Sequence, residues 1–170
     1  MQPILTTNRL IIRHFTLEDA AFILTLLNTP SWLQYIGDRN VKNLFEAEEY
    51  LRDGSLKNYA ELGFGFYCVL EKQTNRPIGL CGITKREAFE DIDLGFAFLP
   101  NYIGKGHGFE AAQATLAYAH DHLKIEKIIG IVNPENEASI GLLKKIGMVF
   151  EKEIEEEGVK RYILKSTKVI

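Results

Sequence analysis

A glycine-rich loop between a predicted strand and a predicted helix restricts the fold of this chain more than any other feature. In the stretch YIGKGHGFEA, residues 102–111, glycine stands at every second position, at Gly104, Gly106 and Gly108. Glycine reaches positive φ without steric cost and lets another group approach the main chain. Successive N–H groups in such a turn, with the positive end of the following helix, form a site for an anion, most often phosphate. The alternative is a flexible loop without a ligand, and the surrounding sequence has to decide.

The segments around this loop predict one α+β (mixed α/β) domain. Apolar alternation indicates strands, and apolar residues three or four positions apart indicate helices. Helical spacing of apolar residues predicts one helix after the first strand, one after the glycine loop and one after Asn136. Residues 31–62 are less regular, apart from a helical segment at 45–53. Antiparallel strands followed by a strand–loop–helix–strand crossover are typical of such a domain. The predicted strands are 9–15, 66–71, 78–84, 91–100, 127–132 and a final pair within 148–165.

Composition narrows the classes of partner. A chain of 170 residues, 46% of them hydrophobic, is long enough for one domain with its own core. The formal net charge is −3, with lysine and arginine scattered along the chain, which argues against nucleic acid as a partner. No apolar run is long enough to span a bilayer, and MQPILTTNRL has no signal-peptide pattern. We therefore expect a cytoplasmic protein without a membrane partner.

Cysteine and histidine do not suggest a metal site. Cys68 and Cys81 lie in apolar strand-like segments without a CxxC partner, so we expect buried, reduced thiols. His120 and His122 are two positions apart, and such a pair on a helix faces different directions. We interpret them as the solvated end of a helix.

Spacing disfavours two familiar phosphate loops. A P-loop requires GxxxxGK followed by serine or threonine, and no such run occurs. A dinucleotide-binding fold requires GxGxxG after an early strand. Here the spacing is GxGxG after about the fourth strand, and the third glycine of that fingerprint is replaced by Phe109.

Four ordered segments resemble one family. FLPNYIGKGHGFEAAQATLAYA followed by IVNPENEASIGLLKKIGM resembles the acyl-CoA-binding half of the GNAT acetyltransferases, and specifically their RimJ/RimL-like branch. LTTNRLIIRHFTLEDA and FYCVLEKQTNRPIGLCGI resemble the same branch, so the resemblance covers nearly the whole chain. It implies a single domain over residues 1–170 with a central, mostly antiparallel, splayed sheet flanked by helices.

The resemblance implies transfer of an acetyl group from acetyl-CoA, without a metal, to a primary amine. An α-amine has a reference pKa near 8, against about 10.4 for lysine, so a protein N-terminus is chemically the easier acceptor. Two alternatives stay open. One is an acetyltransferase for a small-molecule amine, and the other is a non-catalytic domain that binds or senses acyl-CoA.

The resemblance also implies that acetyl-CoA lies between the strand at 91–99 and the strand at 127–132. Its pyrophosphate would lie at the start of the helix and on backbone amides, those of Gly104, Lys105, Gly106, His107, Gly108 and Phe109. The superfamily usually begins this loop with arginine or glutamine, where this chain has Ile103. Phosphate recognition through backbone N–H groups survives that loss, because it uses no side chain.

The thiol end of the cofactor is implied by the NPENEAS segment. Asn136 and Ser139 match family positions there. Many superfamily members place a tyrosine acid four residues after Ser139, where this chain has Leu143, so Ser139 is the candidate hydrogen-bond donor to the sulfur. The alternative for Ser139 is a first-turn serine that binds the helix backbone. The pantetheine arm would pair like an added strand with the main chain at Ala97, Phe98 and Leu99.

Asp93 is the candidate general base. It matches the family's usual glutamate in the strand beside the cofactor, and Asp91 shares its face of that strand. A base that acts through water tolerates the shorter side chain. The alternative is an ordinary solvated strand face. A backbone N–H near Phe98 is the implied oxyanion donor.

Three aromatic residues are candidates for the wall of the acceptor pocket. Trp32, Tyr35 and Tyr67 lie in segments that border this pocket in relatives. Packing in the core is the alternative for each of them. The acidic stretch EIEEEG, residues 153–158, is interpreted as a solvated hairpin end.

Overall fold

A mixed sheet of eight strands organises the computed structural model, which describes residues 2–168. The strand order is β1-β2-β3-β4-β5-β6-β8-β7, and all neighbours are antiparallel except β5 and β6. This confirms the predicted mixed α/β fold with a mostly antiparallel sheet. The strands are β1 (Leu5–Thr6), β2 (Leu10–Arg13), β3 (Phe66–Glu71), β4 (Arg76–Lys85), β5 (Ile92–Phe98), β6 (Lys127–Val132), β7 (Val149–Glu156) and β8 (Val159–Thr167).

The sheet opens between β5 and β6. These parallel strands pair at two positions, where residues 92–93 meet residues 128–129. Beyond Asp93, β5 stays paired with β4 as far as Phe98, and β6 stays paired with β8 as far as Val132. The sheet therefore splits into a V whose vertex is at Asp93, which confirms the predicted splay.

Helices flank both faces of the sheet. The segment at 31–62, which had no clear pattern, is mostly helical, and α3 continues through one π-helical turn at Arg52–Leu56 into α4. No helix within residues 2–168 is long and apolar enough to cross a membrane. The α-helices are α1 (Ala20–Leu27), α2 (Pro30–Tyr35), α3 (Leu44–Leu51), α4 (Lys57–Leu62), α5 (His107–Asp121) and α6 (Glu137–Lys145).

Two apolar cores hold these layers together, one on each face of the sheet. Helical spacing gives α5 a stripe of small buried residues, which lets this helix lie close against the strands. The core on the α5 face includes Leu10, Ile12, Ile83, Leu94, Ala111, Ala112, Leu116, Ala119 and Leu143. The core under α1, α2 and α3 includes Phe15, Ile23, Leu26, Trp32, Ala47, Leu51, Cys68, Leu70 and Leu80.

The cysteines follow the prediction, whereas one of the histidines does not. Cys68 and Cys81 are free and buried, and burial raises the pKa of each thiol to about 12. His120 is also buried, with Nδ1 2.7 Å from the Ile125 carbonyl oxygen and Nε2 3.0 Å from Ser166 Oγ. The expectation of a solvated helix end was therefore wrong for His120, because the end of α5 packs against β8. Within residues 2–168, no group of three or more His, Cys, Asp or Glu side chains is placed to hold a metal ion.

Candidate active site

A cavity of about 730 Å³ occupies the gap between β5 and β6. Its size falls within the range of sites for small molecules and cofactors. One end is formed by the glycine loop and α6, and the other by the segment around α2. Asp93, at the vertex of the V, lines the same cavity, so one continuous space joins the two groups of predicted site residues.

Two of the three glycines in the loop have the positive φ that the sequence predicts. Gly104 has φ +76° and Gly106 has φ +82°, both in the left-handed region, and α5 begins directly after Gly106. Gly108 lies within α5, where an added Cβ would be 3.1 Å from Leu142 Cδ1. Gly104 and Gly106 therefore shape the turn, whereas Gly108 allows close packing of α5 and α6.

The loop residues differ in their access to the cavity. Gly104, Gly106, Gly108 and Phe109 line it, together with Ile103, which is 50% exposed. The lining does not include Lys105 and His107. Lys105 uses its carbonyl oxygen to accept a hydrogen bond from Arg9, and His107 is buried beside Tyr102.

A clamp that sequence reasoning missed holds this loop, and we define it as Thr7, Arg9 and Glu110. Arg9 Nε lies 2.7 Å from Glu110 Oε2, and Arg9 Nη1 donates to the Lys105 carbonyl oxygen at 2.9 Å. Thr7 Oγ1 and the Arg9 backbone N–H both donate to Glu110 Oε1, at 2.6 and 2.8 Å. Burial alone would raise the pKa of Glu110, but these hydrogen bonds lower it below its ordinary value. The clamp ties the loop to the start of α5.

We expect Arg9→Gln to raise the KM for acetyl-CoA about fivefold, because a partly exposed ion pair contributes up to about 1 kcal/mol. The kcat at saturating acetyl-CoA should stay the same, since the clamp touches only the loop. Steady-state kinetics with varied acetyl-CoA measure both. Lys168→Gln is a matched control, because Lys168 pairs with Asp121 at the opposite end of α5. An unchanged KM in the Arg9 variant would contradict a role in shaping the loop.

The edge of β5 is available for pairing at some positions only. Ala97 and Phe98 line the cavity, but Leu99 does not, because its N–H donates to the Ile78 carbonyl oxygen at 2.9 Å. Polar backbone groups of a strand point alternately to either side. Since Leu99 bonds toward β4, the N–H and C=O of Phe98 and Phe96 point into the gap. The structure therefore removes Ala97 and Leu99 from the predicted backbone pairing, because both bond toward β4, and leaves Phe98 available.

Asp93 is buried, in contrast to an ordinary strand carboxylate. Its side chain is 1% exposed, and it lines the cavity at the vertex of the V. Burial raises the pKa of Asp93 to about 7, although the charge of Arg86 acts against this rise. Arg86 Nε lies 2.8 Å from Asp93 Oδ2, yet the geometry does not form a hydrogen bond, so the contact is mainly Coulombic. The alternative of a solvated strand face is wrong for this residue.

Arg86 was missed because its role depends on strand register. β4 and β5 pair Thr84 with Asp93 and Lys85 with Ile92, so Arg86 falls opposite Asp91. Diagonal neighbours on one face of an antiparallel pair lie within reach of long side chains. The register therefore brings Arg86 to Asp93, while Asp91 pairs with Lys127 at 2.8 Å.

The start of α6 forms the wall near the predicted thiol site. Asn136 Oδ1 accepts a hydrogen bond from the Ser139 backbone N–H at 3.1 Å, so Asn136 is the N-cap of this helix. Asn136 and Ser139 both line the cavity. Leu143 is 2% exposed and packs against Gly130, where an added Cβ would be 2.8 Å from Leu143 Cδ1. Leu143 therefore packs α6 against β6 while also lining the cavity.

The acceptor end contains two of the three predicted aromatic residues. Trp32 and Tyr35 line the cavity, but Tyr67 does not. Tyr67 is 1% exposed and stacks on Tyr59 in the core of the α5 face. The alternative interpretation of Tyr67, as a core residue rather than a wall of the acceptor pocket, is therefore correct. Adjacent strand residues point to opposite faces, and Phe66 is the residue of β3 that lines the cavity.

Comparison with known proteins identifies the family. The sequence matches the family model described as acetyltransferase (GNAT) domain over residues 9–149. It is 31% identical over 144 residues to the uncharacterized N-acetyltransferase YnaD of Bacillus subtilis. This alignment covers 85% of this chain and 81% of that protein. It is 26% identical over 147 residues to spermidine N(1)-acetyltransferase of Escherichia coli, covering 86% and 76% of the two chains.

Structural comparison agrees with this match. RimL, a ribosomal alpha-N-protein acetyltransferase in complex with coenzyme A, has a TM-score of 0.84 over 98% of both chains. Its sequence identity is 14%, so this likeness concerns the fold alone. The matching family model covers most of the chain. The chain therefore belongs to the GNAT acetyltransferases and is an acetyl-CoA-dependent acetyltransferase.

Proposed function

We propose that this chain acetylates a primary α-amine, with Asp93 as the general base. The observation that carries the proposal is the position of Asp93, a buried carboxylate at the vertex of the same cavity that the glycine loop lines. A base with a pKa near the working pH is well suited to proton transfer. The four ordered segments resemble the RimJ/RimL-like branch, and this resemblance favours an N-terminal amine over the polyamine of the spermidine relative.

The residues present fit acetyl-CoA. Left-handed turns at Gly104 and Gly106, followed by a long helix, are suited to hold a pyrophosphate. The unpaired carbonyl group of Phe98 is suited to accept a hydrogen bond from an extended arm, which leaves the Phe98 N–H free for another partner. Lys145 lines the cavity with Nζ 4.3 Å from the centre of the Phe109 ring, so it supplies a cation beside the first turn of α5. Lys105 and His107 contribute through their main chain only.

Bound acetyl-CoA supplies the acetyl thioester. The residues of this chain accept the proton of the amine and stabilise the charges that develop during the transfer. Asp93 takes a proton from the acceptor ammonium group, directly or through one water. The amine nitrogen then bonds to the acetyl carbon as the carbon–sulfur bond breaks, and the proton that this nitrogen loses on becoming an amide passes to the departing thiolate, which leaves as free thiol. The Phe98 N–H stabilises the negative charge on the carbonyl oxygen. Ser139 donates a hydrogen bond to the departing thiolate, which is already a fair leaving group with a reference pKa near 8.5.

Release of free thiol from acetyl-CoA tests this proposal. Peptides with free N-termini, the same peptides with blocked N-termini, and small amines form the panel. We expect thiol release with free α-amines and none with the blocked peptides, and mass spectrometry should place the acetyl group on the α-nitrogen. Tight binding of acetyl-CoA without turnover of any amine would contradict the proposal and favour an acyl-CoA-binding domain.

A further inference from the structure

The acceptor end of the cavity has an excess of positive charge. Arg39 and Arg86 both line it, whereas Asp93 is the one carboxylate among the lining residues described within 2–168. Arg86 lies against Asp93, and the two charges offset each other. The charge of Arg39 remains without a counterpart in the cavity.

The carboxylates closest to Arg39 in sequence bind elsewhere. Both carboxylate oxygens of Asp38 lie 3.0 Å from Lys42 Nζ, and Asp38 Oδ1 also accepts from the Asn40 N–H at 2.8 Å. Glu46 Oε2 accepts from the Lys42 backbone N–H at 2.6 Å. Within the described part of the chain, no carboxylate forms an ion pair with Arg39.

Aromatic residues line the cavity together with Arg39. Trp32, Tyr50 and Phe66 form part of its wall, while Arg39 itself is exposed and accessible to an incoming ligand. Charges interact more strongly beside such apolar walls than in bulk water. Arg39 is close enough to Tyr50 to act against the rise that burial causes in the pKa of Tyr50. Arg39 and Tyr50 therefore line one cavity and influence each other through charge.

We propose that the acceptor carries a carboxylate besides its reacting amine, and that Arg39 binds this carboxylate. The inference rests on the proposed function, because it names the acceptor of that same reaction. A guanidinium binds a carboxylate through two parallel hydrogen bonds, which fixes its position. The amine then lies toward Asp93 and the carboxylate toward Arg39. A polyamine would place further ammonium groups beside an uncompensated arginine, and like charges oppose binding.

The acceptor class is therefore a free α-amino acid or a peptide that begins with an acidic residue. The test compares kcat/KM for matched pairs of amines that differ in one carboxylate. Free amino acids against their α-amides test the α-carboxylate. Peptide amides that begin with glutamate or aspartate, against those that begin with glutamine or asparagine, test a side-chain carboxylate. Spermidine represents amines without a carboxylate.

We expect at least one carboxylate-bearing series to exceed its uncharged partner about tenfold or more in kcat/KM. Arg39→Gln should remove most of this preference and leave the KM for acetyl-CoA unchanged, while Arg39→Lys should retain part of it. Arg52→Gln is the matched control, because Arg52 is an exposed arginine that pairs with Glu48 and does not line the cavity. It should keep the full preference.

Each contrary result has a distinct meaning. A higher kcat/KM for spermidine than for every carboxylate-bearing amine would overturn this inference and leave acetyl transfer intact. An unchanged preference in a folded Arg39→Gln variant would overturn the role of Arg39. Absence of thiol release with every amine would overturn the proposed function, and this inference with it.

Discussion

Replacing Asp93 with asparagine is expected to lower kcat by about 10²- to 10⁴-fold, the usual contribution of a general base. The pKa of Asp93 is raised to about 7, so the wild-type kcat/KM should rise with pH through 7 and level off above it. Asparagine cannot accept the proton, and this limb of the pH profile should disappear. Initial rates of thiol release from pH 5.5 to 9 measure both effects.

Asp91→Asn is the matched control for this variant. Asp91 lies on the same strand face but is 34% exposed and pairs with Lys127, so its loss should leave the pH profile unchanged. A folded Asp93→Asn variant with the wild-type profile would exclude Asp93 as the base.

The same variant is expected to gain stability at high pH. The pKa of Asp93 is higher in the folded chain than in the unfolded chain, so the folded state binds more protons between these two values. Stability contributed at this position therefore falls as pH rises from about 4 to about 7. Asparagine carries no charge to bury, so its urea midpoint relative to wild type should be higher at pH 8 than at pH 4. A purely structural role for Asp93 would instead lower the midpoint at pH 8.

Gly106→Val is expected to raise the KM for acetyl-CoA about tenfold or more, since each 1.4 kcal/mol of lost binding corresponds to a factor of ten. Gly106 has φ +82°, which a β-branched residue strongly disfavours, and an added Cβ would be 3.1 Å from Arg9 Nη2. The loop must change shape to accommodate valine, and its amides would then move. Isothermal titration with acetyl-CoA and steady-state kinetics measure the loss.

Gly158→Val separates this effect from a general loss of stability. Gly158 has φ +77° in the turn between β7 and β8, and an added Cβ would meet nothing within 4 Å. The backbone penalty is similar, but the turn does not line the cavity, so the KM for acetyl-CoA should stay at the wild-type value. Equal affinity of the folded Gly106 variant and wild type would mean that the loop does not bind the pyrophosphate.

Local patterns predicted the strands and the glycine loop because both depend on neighbours in sequence. Asp93 lies on the opposite face of β5 from Leu94 and Phe98, which pack in the core on the α5 face, as the alternation of a strand requires. Tyr67 shows where this reasoning reaches its limit. Aromatic character alone did not reveal which of two adjacent residues, Phe66 or Tyr67, faces the cavity, because that depends on the phase of β3 relative to the whole sheet.

Long-range contacts could not be predicted from the sequence. Arg9 meets Glu110 across 101 residues, and Arg86 reaches Asp93 only through the register of β4 and β5. The burial of Asp93 likewise depends on where the sheet splits, which no local pattern specifies. A carboxylate in an alternating strand is ordinarily solvated, so sequence reasoning left that alternative open. The three-dimensional arrangement gives Asp93 its raised pKa.

The V-shaped gap also bears on which chains can pair with the inner edges of this sheet. Unpaired strand edges are templates for sheet extension between molecules and so promote aggregation. Here the outer edge strands are poor templates for pairing, because β1 has only two residues and five of the eight residues of β7 are charged. The inner edges of the gap face each other within one sheet, where a second folded sheet cannot enter. A single extended chain still fits between β5 and β6. The unpaired backbone in the gap can therefore pair with one strand but not with another sheet.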